Sequence, residues 1–262
     1  MIEQGFHTNI SADAYHADDL APAPALSSSI AKILLRESAF KAWHSHPRLN
    51  TAFVDESRAK FDLGTAAHAL LLEGLDKMHV VQFDDWRKKE AKEQRELARS
   101  MSKLPILAHQ AEDVRAMVEK AVEFLRGSEI AHYWFKAGSE VTGLVEEDGV
   151  WLKARFDRLS HDRMMIVDYK STGDASPEVF TRQIVRMGYH WQDAFYRRVA
   201  SKLGARDTKF VLLAQSTEAP YECSLHGCDP ALREIADADI EHAIALWREI
   251  EATVVGAVDR DV

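Results

Sequence analysis

The first half of the chain spaces its apolar residues as amphipathic helices do. The serine run 27–29 precedes apolar positions over 30–35, and serine at that point is suited to capping a helix. A second apolar helix is predicted over 64–73, and a third over 110–126, where a glycine follows as a stop. Residues 1–26 contain Ala-Pro-Ala-Pro and are predicted to be an irregular arm.

The second half changes to an alternating pattern that is typical of strands. Between residues 140 and 169 two alternating segments flank Asp148-Gly149, a strong hairpin signal, and an apolar third strand follows from Met164. The remaining predicted elements are a helical region over 177–203, a buried strand over 209–215 and a long amphipathic helix from 230 to 254. This order of elements predicts an α/β protein.

Composition and length add a prediction about domain organisation. The 262 residues are 46% hydrophobic, with 12 Gly and 7 Pro, and show neither a repeat nor a linker. We therefore expect one domain over 1–262, with an N-terminal arm and helices in 1–60, a catalytic core in 61–215 and a C-terminal helix in 229–254. No apolar run approaches the roughly 20 residues of a membrane span. The start of the chain has no signal-peptide pattern, so we expect a cytoplasmic protein with no membrane partner.

Cys223 and Cys228, with His226 between them, raise the question of a metal site. A structural zinc site needs four ligands at tighter spacing, and an iron–sulfur cluster needs four thiolates. Two incidental thiols in a loop or strand end are therefore favoured, and a disulfide is not expected in a reducing compartment.

Charge is distributed unevenly along the chain. The formal net charge is −9, yet the segment 87–103 carries seven Lys or Arg against three Glu. This segment is either an exposed helix or a mobile flap. Two further basic groups occur, one at Lys153, Arg155 and Arg158 and the other at Arg182, Arg186, Arg197 and Arg198. Such islands suit a protein that grips phosphate locally, although scattered solvated charge explains any one of them equally well.

Asp157, Asp168 and Lys170 carry the strongest chemical signal. On a strand Asp168 and Lys170 project to one side and Tyr169 to the other, while a short turn brings Asp157 beside Asp168. Two adjacent carboxylates favour a cation such as Mg²⁺ or Mn²⁺ between them. The lysine is placed to orient or deprotonate a metal-bound water, or to offset charge on a phosphate.

Spacing alone favours a surface salt-bridge cluster for these three residues. The apolar residues 164–167 change the balance, because α/β proteins place functional groups at the ends of buried strands.

A wider set of motifs occurs in a definite order. The set comprises Gly64-Thr-Ala-Ala-His68, Asp157, Asp168-Tyr-Lys170 and Gln192-Asp-Ala-Phe-Tyr196. It resembles the PD-(D/E)XK nuclease superfamily, in the branch of RecB-type nuclease domains and phage-type exonucleases. The RecE-like exodeoxyribonucleases are more similar still, from about residue 9 to beyond 215. That likeness includes Ile10-Ser-Ala-Asp-Ala-Tyr15-His16, Asp62-Leu-Gly-Thr and His190-Trp-Gln-Asp-Ala-Phe-Tyr196.

The resemblance implies a fold and a set of site residues. The fold is a restriction-endonuclease-like core, a central mixed sheet flanked by helices, with an N-terminal helical elaboration. The implied metal ligands are His68, Asp157, Asp168 and the backbone carbonyl of Tyr169. Lys170 would be the catalytic lysine, and Glu140 the acidic residue that helps to hold a metal or its water. Gln192 and Tyr196, one helical turn apart, would contact DNA or order the lysine. The basic segment adds Arg87, Lys88 and Lys89 as predicted DNA contacts.

The same resemblance implies a Mg²⁺-dependent exonuclease on linear double-stranded DNA, with Mn²⁺ as a substitute. It further implies 5′-to-3′ digestion that leaves a single strand for a recombinase or annealing protein in DNA recombination, and a ring-shaped homo-oligomer. ATP is not expected to be required, because the sequence has no phosphate-binding Gly-rich loop of the nucleoside-triphosphatase type. Two alternatives stay open: an endonuclease or structure-specific nuclease of the same fold, and an inactive DNA-binding subunit.

Overall fold

A computed structural model describes residues 1–50, 52, 63–101 and 103–258 of the chain. Asp62 of the predicted Asp62-Leu-Gly-Thr motif lies outside these residues. Seven strands form one mixed sheet in the order β1-β5-β6-β7-β8-β9, and β2 pairs with β6 beside that path. The strands of this sheet are β1 (Gly5–His7), β2 (Leu26–Ser27), β5 (Ala137–Glu147), β6 (Val150–Ser160), β7 (Met165–Thr172), β8 (Lys209–Ser216) and β9 (Cys223–His226).

The β5–β6 hairpin confirms the turn predicted at Asp148-Gly149. Glu147 pairs with Val150, and the two turn residues have φ values of +50° and +88°. A two-residue turn with both central φ angles positive matches the twist of the flanking strands, and glycine adopts such angles at no steric cost. The predicted third strand follows as β7, which pairs antiparallel with β6 and parallel with β8.

Helices cover both faces of the sheet, as the α/β prediction requires. One face packs on α2, α9 and α10, where Phe195 and Trp247 are fully buried. The other face packs on α4, α6 and α7, which bury Met117 and Trp134. The helices are α1 (Ala12–Ala17), α2 (Ser28–Arg36), α3 (Ala39–His44), α4 (Leu63–Glu73), α5 (Lys89–Ser100), α6 (Ala108–Arg126), α7 (Ala131–Phe135), α8 (Pro177–Arg186), α9 (Tyr189–Lys202) and α10 (Pro230–Val258).

A second, small sheet carries the basic segment. A 3-10 helix (Leu75–Lys77) leads into β3 (Met78–Val81), which pairs in parallel with β4 (Leu104–Leu107). Helix α5 connects these strands, so the basic segment is an exposed helix. Its apolar side is thin, and Ala91 and Ala98 are its buried residues.

The predicted irregular arm over 1–26 is wrong in part. β1 adds an antiparallel strand beside β5, α1 begins with Ser11 as its cap, and β2 starts at Leu26. These elements are too short for sequence periodicity to reveal, and long-range pairing stabilises them. No helix among the described residues is long and apolar enough to cross a membrane. The single-domain assignment stays a prediction.

Candidate active site

The site lies where β6 and β7 separate. The two strands pair at Arg158–Val167 and at Leu159–Ile166. The next opposite residues in this register, Asp157 and Asp168, lie where the backbone pairing has ended. The Tyr169 N–H donates instead to the Asp157 carboxylate, at 2.8 Å. The separation of β6 and β7 therefore leaves space for the carboxylates of Asp157 and Asp168. The Asp157 carboxylate also accepts the hydrogen bond of a backbone N–H that has no partner on β6 at this point.

Three side chains from different elements form a cluster suited to a cation. His68 on α4, Glu140 on β5 and Asp157 on β6 each offer a ligand atom within 4.8 Å of the others. His68 Nε2 lies 3.3 Å from Asp157 Oδ2 and 3.9 Å from Glu140 Oε1. The cluster combines two carboxylates and one imidazole. Carboxylate oxygens suit Mg²⁺ and Mn²⁺, and imidazole suits the transition metals.

Glu140 has an unusual backbone and an unusual environment. Its φ is +53°, a left-handed value that costs free energy for a residue other than glycine. The pairing of β5 with β6 continues on either side, at Ser139–Arg158 and Val141–Phe156. Its Oε1 is buried and has no hydrogen-bond partner, whereas its Oε2 accepts from Arg155. A buried oxygen without a donor is what a bound cation would satisfy, so these residues fit a divalent metal.

The electrostatics of the cluster favour positive charge at the same point. Burial alone would lower the pKa of His68, but the Asp157 and Glu140 carboxylates outweigh it and raise the pKa to about 9. Burial and the Asp157 charge raise the pKa of Glu140. For Asp157 burial acts upward, yet His68 and Lys170 hold its pKa below the ordinary value. The carboxylates therefore create a negative potential at His68 that a metal cation would also experience.

Asp168 and Lys170 form a buried ion pair beside this cluster, on the side of α9. Lys170 Nζ contacts Asp168 Oδ2, and Gln192 Nε2 donates to Asp168 Oδ1 at 2.7 Å. Burial and the nearby Asp157 raise the pKa of Asp168 to about 6. Burial alone would lower the pKa of Lys170, but Asp168 and Asp157 raise it above its ordinary value. Lys170 is consequently a charged ammonium at neutral pH.

Tyr169 points away from Asp168, as strand alternation predicted. Its ring is buried with α4 and α6 residues, and its hydroxyl donates to Gln215 at 2.7 Å. Its backbone carbonyl as a ligand stays a prediction. Gln192 and Tyr196 of α9 are both buried, at 6% exposure each. The contact of Gln192 with Asp168 favours ordering the site over touching DNA, and DNA contact by either residue stays a prediction.

The basic islands divide into two kinds. Arg87, Lys88 and Lys89 are exposed, and their described side-chain contacts are with near neighbours in the sequence, namely Asp85, Phe83 and Glu93 respectively. The structure does not bring them to the carboxylate cluster. The second island is committed to internal partners, since Lys153 contacts Asp18 and Arg155 contacts Glu140. In the third, Arg197 contacts Asp193 and Arg198 contacts Glu147. These four residues therefore have internal partners, and phosphate binding by the second and third islands stays a prediction.

Sequence reasoning did not assign Arg155 and Lys32 to the site, because neither lies in a recognisable motif. Arg155 lies two positions before Asp157 on β6 and holds Glu140, while its Nη1 donates to Ile10 O at 2.9 Å. Lys32 on α2 reaches Gln192, 160 residues away in sequence. Within an amphipathic helix Lys32 resembles any solvated lysine. Cys223 and Cys228 are free, and burial raises the pKa of each thiol to about 12.

The mixed sheet with helices on both faces, and the Asp157, Asp168 and Lys170 arrangement at its splayed strands, define the PD-(D/E)XK class of fold. The chain belongs to the family of PDDEXK-like domains of unknown function, DUF3799, whose model matches residues 27–256. The predicted fold class and superfamily resemblance are thus confirmed. No match was found among curated proteins.

A solved structure supports the same fold. A protein from Eubacterium rectale described as a candidate exonuclease aligns with a TM-score of 0.59 and 11% identity, over 93% of this chain and 88% of that chain. At this identity the likeness shows the fold alone. A second structure, SSO0001, aligns with a TM-score of 0.30 and 16% identity over 70% of this chain and 84% of that chain, which is too low to show a shared fold.

Proposed function

We propose that this protein is a divalent-metal-dependent deoxyribonuclease that hydrolyses phosphodiester bonds at the carboxylate cluster. The observation that supports it most is the convergence of His68, Glu140 and Asp157 within 4.8 Å, beside the Asp168–Lys170 pair. The PDDEXK-like family and its nuclease-type fold support DNA as the substrate.

Each side chain has a separate task in this proposal. His68 Nε2, Asp157 Oδ2 and Glu140 Oε1 would hold Mg²⁺ or Mn²⁺, with Asp168 and the Tyr169 carbonyl as further predicted ligands. Such a cation supplies positive charge that stabilises the phosphate transition state and favours deprotonation of the attacking water. Arg155 positions Glu140, and Gln192 positions Asp168 through their hydrogen bonds.

The charge state of Lys170 supports one of its predicted roles over deprotonation of a metal-bound water. Because its pKa is raised, Lys170 carries its proton at neutral pH and is a poor base. An ammonium at this place stabilises negative charge on the phosphate oxygens and is able to give a proton to the leaving oxygen. We infer that role for Lys170 in preference to deprotonation of water.

The finer assignment is an exonuclease on linear double-stranded DNA with 5′-to-3′ polarity. It rests on the resemblance of the ordered motifs to RecE-like enzymes, as do a single-strand annealing or recombinase partner and a ring-shaped homo-oligomer. Activity without ATP rests on the missing nucleotide-binding loop. An endonuclease of the same fold would also use this carboxylate cluster, so the substrate decides between them.

One assay tests activity, end requirement and polarity together. End-labelled linear duplex is incubated with Mg²⁺ or Mn²⁺, with each end blocked in turn, next to covalently closed circular DNA. We expect digestion of linear DNA alone, stopped by blocking the 5′ end. Cleavage of the circle would favour an endonuclease. A wild-type protein inert on both substrates with both metals would overturn nuclease activity and favour a DNA-binding subunit.

Metal binding has its own test, independent of cleavage. Mn²⁺ or Mg²⁺ at about 100 times its Kd should raise the stability of the wild-type protein by about 2.7 kcal/mol. Asp157→Asn removes a central ligand and should abolish this shift. A shift of the wild-type size in Asp157→Asn would contradict the proposed metal site.

The exposed basic segment offers a test of DNA binding away from the cluster. Replacing Arg87, Lys88 and Lys89 with glutamine should weaken DNA binding and flatten its dependence on salt. The log–log slope should decrease by up to about 0.9 for each phosphate that the variant no longer neutralises. An unchanged slope would refute the predicted role of these residues.

A further inference from the structure

Lys32 on α2 is a half-buried lysine that has no carboxylate within ion-pair distance among the described residues, although the Asp168 charge acts on it from further away. Its nearest described polar contact is the Oε1 of Gln192, at 3.4 Å, near the limit of a hydrogen bond. The other two inward-facing lysines differ. Lys153 Nζ lies 2.5 Å from Asp18, and Lys170 contacts Asp168. A lysine withdrawn from water without an anion costs free energy, so its place calls for an explanation outside folding.

The ring of Tyr189 connects Lys32 with the proposed catalytic lysine. Lys32 Nζ lies 5.5 Å from the ring centroid, and Lys170 Nζ lies 5.1 Å from the same centroid. Gln192 connects them a second way, because its amide accepts from Lys32 and donates to Asp168. Two ammonium groups around one aromatic ring repel each other unless an anion comes between them or beside them.

Electrostatics agree with this geometry. Burial and the nearby Lys170 outweigh the opposing charge of Asp168 and lower the pKa of Lys32 to about 8. The group is still mostly protonated at pH 7, so it presents a poorly solvated positive charge. The carboxylate cluster on the other side of Asp168 would hold the metal. Lys32 therefore extends the site by a cationic position on the α2 and α9 side.

We propose that Lys32 binds a phosphate group of the DNA that occupies the active site. The proposal rests on the proposed nuclease function for its ligand, and it adds a binding position that the metal cluster and Lys170 do not provide. A phosphate oxygen would supply a counter-ion in direct contact with Lys32 and gain a charge-assisted hydrogen bond. Both a backbone phosphodiester and a terminal phosphate have the required chemistry.

The test compares DNA binding with stability in three variants. Lys32→Met removes the charge, Lys32→Arg retains it, and Lys120→Met removes an exposed lysine on α6 that pairs with Glu123 as a matched control. Binding of a fluorescent duplex is followed by anisotropy across a salt series, in EDTA and in Ca²⁺. Thermal unfolding is measured without DNA.

For Lys32→Met we expect binding weaker by about five- to tenfold and a salt slope smaller by about 0.9. Lys32→Arg should keep most of the affinity, and Lys120→Met should match the wild-type protein. The Tm of Lys32→Met should equal or exceed that of the wild-type protein, because an uncompensated cation has been removed. A lysine that merely supports Gln192 would instead lower the Tm when replaced.

Duplexes with 5′-phosphate and 5′-hydroxyl ends identify the source of the phosphate. Equal losses on both indicate a backbone phosphodiester, and a loss confined to the phosphorylated end indicates a terminal phosphate. Unchanged affinity and salt slope in Lys32→Met would overturn the proposal, as would a wild-type protein that binds no DNA in either condition. Lys32-dependent binding without any cleavage would keep the phosphate position and reject the nuclease function. DNA cleavage together with binding that does not depend on Lys32 would keep the nuclease function and reject the phosphate position.

Discussion

Strand β6 carries two buried charge clusters on alternate positions, with Arg155 between them. At Lys153 lies the Asp18 cluster, formed by Asp18, Lys153 and His46. Asp18 Oδ1 lies 2.5 Å from Lys153, and its Oδ2 accepts from the Ala25 N–H at 2.9 Å. Four residues further along is the Asp157 cluster, the group of His68, Glu140 and Asp157 described above. The first matches its buried carboxylate with cations, whereas the second gathers carboxylates around an imidazole.

The pKa values of the two histidines, His46 and His68, are shifted in opposite directions. Burial dominates at His46 and lowers its pKa, although Asp18 lies 3.3 Å away. At His68 the surrounding carboxylates overcome burial and raise the pKa to about 9. Similar groups therefore form an internal ion pair in one place and the proposed cation site in the other. The ratio of carboxylates to cations makes the distinction.

The same substitution in each region should have opposite effects on stability. Asp18→Asn leaves Lys153 buried without its counter-ion and should lower the free energy of unfolding by about 3–5 kcal/mol. Asp168→Asn removes a carboxyl whose raised pKa, about 6, shows that its ionised form is disfavoured in the folded protein. Lys170 loses the same kind of partner, but it keeps the neighbouring charge of Asp157, so we expect Asp168→Asn to keep or raise stability at pH 7.5. Chemical denaturation in EDTA measures both.

The pH dependence of Asp168→Asn tests whether the ionised Asp168 destabilises the folded protein. A carboxyl with a raised folded pKa destabilises the folded state above that pKa, and the penalty disappears as the pH falls towards the ordinary value of an aspartate. The stability difference between Asp168→Asn and the wild-type protein should therefore shrink from pH 7.5 to pH 4. Equal destabilisation by Asp18→Asn and Asp168→Asn at pH 7.5 would remove the distinction between the regions.

Lys170→Met tests whether the region of Asp168 serves chemistry. Loss of a charge that stabilises the transition state should reduce DNA cleavage by about 10²–10³-fold, with single-turnover kinetics as the measurement. Lys120→Met is the control and should cleave like the wild-type protein. Metal-induced stabilisation should persist in Lys170→Met, since Lys170 is not a ligand. Unchanged cleavage would contradict the proposed role.

Arg155→Gln tests the residue that joins the two regions. The substitution removes the described hydrogen bond that orients the strained Glu140, and metal affinity should fall by about 10–100-fold. Calorimetric titration with Mn²⁺ measures this change. Arg155→Lys should recover part of the affinity. A decrease in stability with unchanged affinity would assign Arg155 to folding alone.

His46 gives the smallest expected effect. Because burial lowers its pKa, the folded protein disfavours the charged ring, and stability is lost as the pH falls below the ordinary value of histidine, about 6.5. His46→Gln should show a shallower loss of unfolding free energy between pH 7 and pH 5.5 than the wild-type protein. Parallel curves would show that His46 does not contribute to this pH dependence.

Much of the secondary structure could be predicted from local pattern. The helix start at Ser27, the Asp148-Gly149 turn and the apolar strand before Asp168 depend on neighbouring residues, so periodicity and turn chemistry reveal them. The strands β1 and β2 could not be predicted, because residues far along the chain pair with them. For the same reason sequence position did not distinguish the paired Lys153 from the uncompensated Lys32.

The sequence by itself determined the α/β order of elements, the β5–β6 turn and the chemical types available for a site, since each follows from local spacing. Strand alternation already placed Asp168 and Lys170 on one side. Only the tertiary structure decided that Glu140 lies within 4.8 Å of His68 and Asp157 and that Gln192 contacts Asp168. It alone decided which buried charges have partners. Burial and charge compensation are long-range properties, and they depend on what the folded chain brings within a few ångströms.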